Sequence, residues 1–229
     1  MAKKNEDRAK IWFLLDRSGS MASVAEDVIG GFNYFLAEQA AHAGECRMTV
    51  VQFDSEDPFE VIADGKKPDD VPELNDSVYQ PRGLTPLYDA MGELIKRADK
   101  RIAKRAKAEK SAEDQLVVVF TDGLENDSRR YDRLKVFELV KKRQDDGWTF
   151  VFMGANQDSY TEGGKIGLAT GNVQDYAATP ESVSAAFGSM SRATGEFRGK
   201  SRTQRGADKD AFFGGLKEAE EALRRKKNN

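Results

Sequence analysis

Short apolar runs recur along this chain with helix-length segments between most of them, and that alternation restricts the fold more than any other feature. The runs lie at 11–16 ("IWFLLD"), 47–53, 59–63, 116–121 ("LVVVFT") and 148–154 ("WTFVFMG"), with a weaker one at 172–177. Interleaved with helical patterns, they point to a mostly parallel sheet covered by helices on both faces. Helical spacing begins near Ala22, Leu87, Tyr131, Tyr160 and Glu181. Val24, Val28, Phe32, Phe35 and Leu36 supply the core face of the first helix, and Leu87, Met91, Leu94, Ala98 and Ile102 that of the second. Only "DSEDP" separates the second and third runs, too little for a helical crossover. Those two runs therefore predict a hairpin, with one strand antiparallel.

At 229 residues the chain has room for one sizeable domain with extensions. The expected division is an N-terminal extension at 1–8, a domain at 9–194 and a basic C-terminal segment at 195–229. That last segment contains "TGEFRGKSRTQRGADKD", which is Gly-rich and without periodicity and reads as a linker, and then "AFFGGLKEAEEALRRKK", a short helix candidate. A net charge of -3 gives no global attraction to nucleic acid or to an anionic membrane. No run approaches the roughly 18 apolar residues that span a bilayer, and the N-terminal apolar stretch is too short for a secretory signal. The single cysteine, Cys46, opens a strand, so a buried structural thiol and a cytoplasmic location are expected.

The chemistry gathers where strands end. The first run stops on Asp16 and turns through Ser18, Gly19 and Ser20 into a helical pattern. "QPRGLTPLYDA" places Thr85 before Pro86 and another helix, and "VVVFTDGLEND" places Asp122 at the end of another buried strand. In a parallel sheet these strand ends share one edge, where open α/β sheets bind ligands. Two carboxylates and three hydroxyls, without imidazole or thiolate, make an all-oxygen set suited to a hard divalent ion such as Mg²⁺ or Mn²⁺. Each hydroxyl has an alternative role as a helix cap, with Pro86 in a first helical turn.

The combination of "DRSGS", a later threonine and a later "TDG" resembles the metal-ion-dependent adhesion site of the von Willebrand factor type A domain, across roughly residues 9 to 194. All five motif positions are filled: Asp16, Ser18, Ser20, Thr85 and Asp122. The resemblance implies a doubly wound, mostly parallel six-stranded α/β sheet with one short antiparallel strand and helices on both faces. It also implies that the two serines contact Mg²⁺ or Mn²⁺ directly and that Asp16 acts through water. Thr85 would join the shell, and Asp122 withdraw behind water, when an acidic side chain of a protein partner completes the coordination. The implied function is a metal-dependent protein-binding module, not an enzyme.

Two other readings compete. A phosphohydrolase with Asp16 as nucleophile would want a second Asp two residues on, where Ser18 stands. A nucleic-acid surface would use the helix "KRADKRIAKRAKAEK" at 96–110 together with Arg192, Arg198, Lys200, Arg202 and Arg205, although aromatic residues for base stacking are sparse there. Arg17 and Arg82 flank the metal-site candidate; either could hold a partner's carboxylate, although an exposed arginine more often serves no specific role. The acidic stretch from Asp54 to Asp76 reads as a surface connection.

Overall fold

The computed structural model describes residues 8–155 and 159–214. Six strands form one sheet: β1 (Arg8–Asp16), β2 (Cys46–Phe53), β3 (Glu60–Lys66), β4 (Glu113–Thr121), β5 (Thr149–Ala155) and β6 (Val173–Tyr176). Their order is β3-β2-β1-β4-β5-β6, with β3 antiparallel to β2 and every other neighbouring pair parallel. The helices are α1 (Ala25–Ala41), α2 (Leu87–Lys107), α3 (Arg133–Asp145), α4 (Ser159–Lys165), α5 (Pro180–Gly199) and α6 (Arg202–Ala207). The hairpin and the mostly parallel sheet covered on both faces are those expected from the alternation of apolar runs, and the doubly wound α/β class is the one the resemblance implied.

Successive side chains of a strand point to opposite faces, so β1 serves two cores at once. Ile11, Phe13 and Leu15 pack with Phe32 and Phe35 of α1 and Phe187 of α5. Trp12 and Leu14 pack with Leu94 of α2, Val140 of α3 and Trp148. Aromatic rings hold the first layer, with Phe13 edge-on to Phe32 at 5.2 Å and Phe120 stacked on Phe187 at 4.5 Å. Truncating a buried phenylalanine of this kind removes about 3–5 kcal/mol. Because β1 and β4 run parallel in the centre, Asp16 and Thr121 leave the sheet at the same edge.

The C-terminal segment departs from the linker expected of it. α5 continues through Phe197 and Arg198 to Gly199, five residues past the expected domain end. Ser201 and Gln204 then form a reciprocal capping box that starts α6. Phe212 and Phe213 are buried against the α1/α5 core. The side chain of Asn172 accepts from the Phe212 N–H and donates to the carbonyl of Lys209, and the Phe213 N–H donates to the carbonyl of Gly171. Basic composition suggested solvation, but these cations have internal partners. Arg198 donates to the carbonyls of Gln39, His42 and Gly44 at the end of α1, and Arg205, only 4% exposed, pairs with Asp114 at 2.6 Å. Residues 1–7 and most of the "AFFGGLKEAEEALRRKK" candidate, from 215 onward, lie outside the described residues.

Candidate metal centre

Three loops meet at the edge where β1 and β4 end. They are zipped together by backbone: the Gly19 N–H donates to the carbonyl of Gly83 at 3.1 Å, Arg82 N–H to that of Arg17 at 2.9 Å, and Ser55 N–H to that of Leu84 at 3.1 Å. Gly83 has φ +62°, and a Cβ there would lie 2.3 Å from Ser55 Oγ, so glycine alone fits the turn. Thr85 is locked to the loop after β4, its N–H donating to Asn126 Oδ1 at 2.8 Å while Asn126 N–H donates back to its carbonyl at 3.1 Å. Tyr79 and Tyr176 donate their hydroxyls to the carbonyls of Asp16 and Thr121, which pins both strand ends.

All five sequence-selected residues come together on this scaffold. Ser18 Oγ and Ser20 Oγ lie 3.1 Å apart, and Ser20 Oγ donates to Asp122 Oδ1 at 2.6 Å. Asp16 is fully buried, and its carboxylate accepts from the Ser18 N–H at 2.7 Å and from the Thr121 hydroxyl. Gly123 reports the position of the remaining oxygens. A Cβ built on it would stand 2.9 Å from Thr85 Oγ1, 3.5 Å from Ser20 Oγ and 3.7 Å from Asp16 Oδ2, so oxygens from the loop after β1 and the loop before α2 surround one point beside the loop after β4. A side chain at position 123 would fill the space they enclose.

Capping does not account for the hydroxyls. Ser18 sits at the start of the 3-10 turn Gly19–Val24 without a side-chain cap bond, and α2 begins without one from its flanking residue Pro86. Thr85 Oγ1, on a residue 2% exposed, makes no hydrogen bond among the described residues. Burial pushes the Asp16 carboxyl from 3.8 up to about 7, against the pull of its hydrogen bonds from Thr121 and Ser18. Burial likewise raises Asp122. Two desolvated carboxylates beside hydroxyl oxygens, with no cationic side chain bound to either carboxylate among the described residues, form a site that a cation would neutralise. No cluster of three or more His, Cys, Asp or Glu side chains suited to a metal exists among the described residues, in keeping with a donor set built mostly on hydroxyls.

The neighbouring charges behave differently from expectation. Arg17 turns inward, pairing with Asp54 at 2.6 Å and Glu60 at 2.7 Å, which removes it from the rim. Arg82 is held by the same Asp54 at 3.1 Å. Asp54 is buried and also accepts from the N–H groups of Glu56 and Asp57, so it organises its loop where a surface connection was expected. Sequence reading also missed Glu125 and Asp89. Glu125 accepts from the N–H groups of Tyr88, Asp127 and Ser128, and Asp89 from those of residues 129–131, which fixes the loop behind Asp122. An acid followed two or three residues on by Asn, Asp or Ser is the only local signal for such loop-tying carboxylates, and it is weak.

The von Willebrand factor type A domain family model matches residues 10–188. No curated protein sequence matches the chain. Among solved structures, proximal thread matrix protein 1 from the mussel byssus, described with a zinc-occupied MIDAS motif, is 18% identical with TM-score 0.59, over 82% of this chain and 48% of that one. A manganese-loaded TRAP protein of Plasmodium vivax is 16% identical with TM-score 0.57, over 80% and 72%. The pilus adhesin SpaC of Lactobacillus rhamnosus GG in its open conformation is 14% identical with TM-score 0.63, over 86% and 31%. The chain spans about half the length of the mussel protein it matches, and at these identities the likeness is one of fold.

Proposed function

The chain belongs to the von Willebrand factor type A domain family, and from that premise we propose that it is a divalent-metal-dependent protein-binding module. Asp16, Ser18, Ser20, Thr85 and Asp122 would hold Mg²⁺ or Mn²⁺, and a partner's Asp or Glu side chain would complete the shell. The supporting observation is the convergence of Thr85 Oγ1, Ser20 Oγ and Asp16 Oδ2 around one point beside Gly123, with the threonine hydroxyl unpaired. The solved structures described with zinc or manganese belong to the same fold and make a divalent ion a natural occupant. The bound ion would supply a positive charge to an incoming carboxylate.

The residues themselves set how much of that charge is left to a partner. Three of the five donors are neutral hydroxyls, so only Asp16 and Asp122 offset a divalent charge. Asp16 is engaged by the Ser18 N–H and the Thr121 hydroxyl, which orients it and keeps it back from the rim. The same engagement argues against a phosphohydrolase, since a fully buried carboxylate with both oxygens hydrogen-bonded is poorly placed to attack phosphorus. Domains of this family are mostly non-enzymatic interaction modules. A cytoplasmic location accompanies the proposal, on the strength of one buried, unpaired cysteine, Cys46. No helix among the described residues is long and apolar enough to cross a membrane.

Partner capture from native lysate tests the proposal. Capture should disappear in EDTA, return with Mg²⁺ or Mn²⁺, and fail in Asp16→Ala protein shown to be folded. Capture that is undiminished in excess EDTA would overturn it.

A further inference from the structure

At the opposite edge of the sheet, where the parallel strands begin, a second polar site stands apart from the metal centre. β1 runs from Arg8 at this edge to Asp16 at the other, so about 25 Å of strand separates them. A cleft of about 740 Å³ opens here between the starts of β1 and β2, the end of α2 and the loop entering β4. Arg8, Arg47, Arg101, Lys104, Arg105 and Lys110 line it, against one carboxylate among the described residues, that of Glu113.

Among the described residues the charge is not balanced from within. Glu113 is almost fully buried and shared by Arg101 at 3.1 Å and Arg105 at 3.2 Å, while Arg8 pairs with Glu45. Among the described residues, no carboxylate lies within ion-pairing distance of Arg47, Lys104 or Lys110. The end of α2 contributes only about half a negative charge. Cations gathered at this edge also act on their neighbours: buried Lys10 is held down to about 7, by burial first and by Arg101 next.

Shape and composition narrow the ligand. A flat basic stripe would suit a long polymer, but this is a cleft of the size that takes small molecules. Its lining contains no aromatic side chain on which a nucleobase would stack, and the neighbouring cations Arg97, Arg198, Arg202 and Arg205 are committed to internal partners. Arg47 on β2, Lys104 on α2 and Lys110 in the loop entering β4, each without an ion-pair partner among the described residues, converge from three elements and match a ligand with several closely spaced phosphate oxygens. We propose that this cleft binds a compact polyphosphate, a ligand presenting two or more adjacent phosphate groups and recognised through them alone.

The test is calorimetric titration of sodium tripolyphosphate into the full chain in EDTA, because polyphosphates also chelate divalent ions and would otherwise reach the metal centre. Wild-type protein should bind one equivalent, and raising the ionic strength should weaken it. Lys104→Glu/Lys110→Glu, at two exposed positions, should weaken binding by about a hundredfold, at about tenfold for each lost charge-assisted contact. Lys96→Glu/Lys100→Glu makes the same charge change on α2 outside the cleft and should have less than about a threefold effect, as should Ser18→Ala/Ser20→Ala at the metal centre. ATP should bind no tighter than tripolyphosphate. Absence of wild-type binding, equal loss in both lysine pairs, or tighter binding of ATP or of a single-stranded oligonucleotide of matched charge would overturn the proposal.

Discussion

Replacing Asp16 by Asn should make the metal-free protein more stable, by an amount that depends on pH. In the folded chain the Asp16 carboxyl is raised from 3.8 to about 7, mainly because it is buried, with Asp122 adding repulsion and the hydrogen bonds from Thr121 and Ser18 opposing. In the unfolded chain the group returns to its ordinary value. Between those two values the folded state holds a proton that the unfolded state has lost, so stability falls as pH rises through that window. A displacement of about three units is worth about 4 kcal/mol above pH 7 at 1.36 kcal/mol per unit, and less than half of that at pH 5. Asparagine removes the charge yet still accepts from the Ser18 N–H, and its amide can donate to Thr121 Oγ1, whose hydroxyl already lies 3.2 Å from the Gly123 carbonyl. Urea denaturation in EDTA should therefore find Asp16→Asn more stable than wild type by about 4 kcal/mol at pH 8 and by less than half of that at pH 5. Saturating Mn²⁺ should stabilise wild type and leave the variant unmoved. A gap that does not change with pH, or a wild type more stable than the variant at pH 8 without metal, would refute the reasoning.

Thr85→Ala should weaken partner capture more than it weakens metal binding, because the hydroxyl is unpaired in the metal-free protein; equal losses in pull-down and metal titration would contradict this. Gly123→Ala places a methyl 2.9 Å from Thr85 Oγ1 and should lower Mn²⁺ affinity by about tenfold or more in protein with unchanged circular dichroism. Phe213→Ala should lose about 3–5 kcal/mol in chemical denaturation. A chain ending at Thr194 strips Phe197, Phe212 and Phe213 from the core and leaves Asp114 without Arg205, so it should be insoluble or melt far below the full chain.

The sheet was legible because its causes are local. Runs such as "LVVVFT" fill both faces of a strand, and the five residues of "DSEDP" admit nothing but a hairpin. The gathering of Asp16, Thr85 and Asp122 was legible because parallel strands end on one edge, which follows from topology alone. What stayed hidden depends on partners distant in sequence. Arg17 looked available until Asp54 and Glu60, some forty residues away, were seen to claim it. Arg198 and Arg205 were candidates for a nucleic-acid surface, yet one finds the carbonyls ending α1 and the other Asp114. The adjacent Phe212 and Phe213 and the Ser201/Gln204 capping box are the local signals in the sequence that this segment is ordered, and they lie within a stretch that is otherwise Gly-rich and basic.

The most direct test of the metal centre is titration of Mn²⁺ into chelator-stripped wild-type and Ser18→Ala/Ser20→Ala proteins at pH 8. One equivalent should bind wild type, while the double variant, folded by circular dichroism, should bind at least about a hundredfold more weakly, since two oxygens that face the site are gone. Wild type that takes up no metal, or a variant that binds with the same stoichiometry and affinity, would contradict the account.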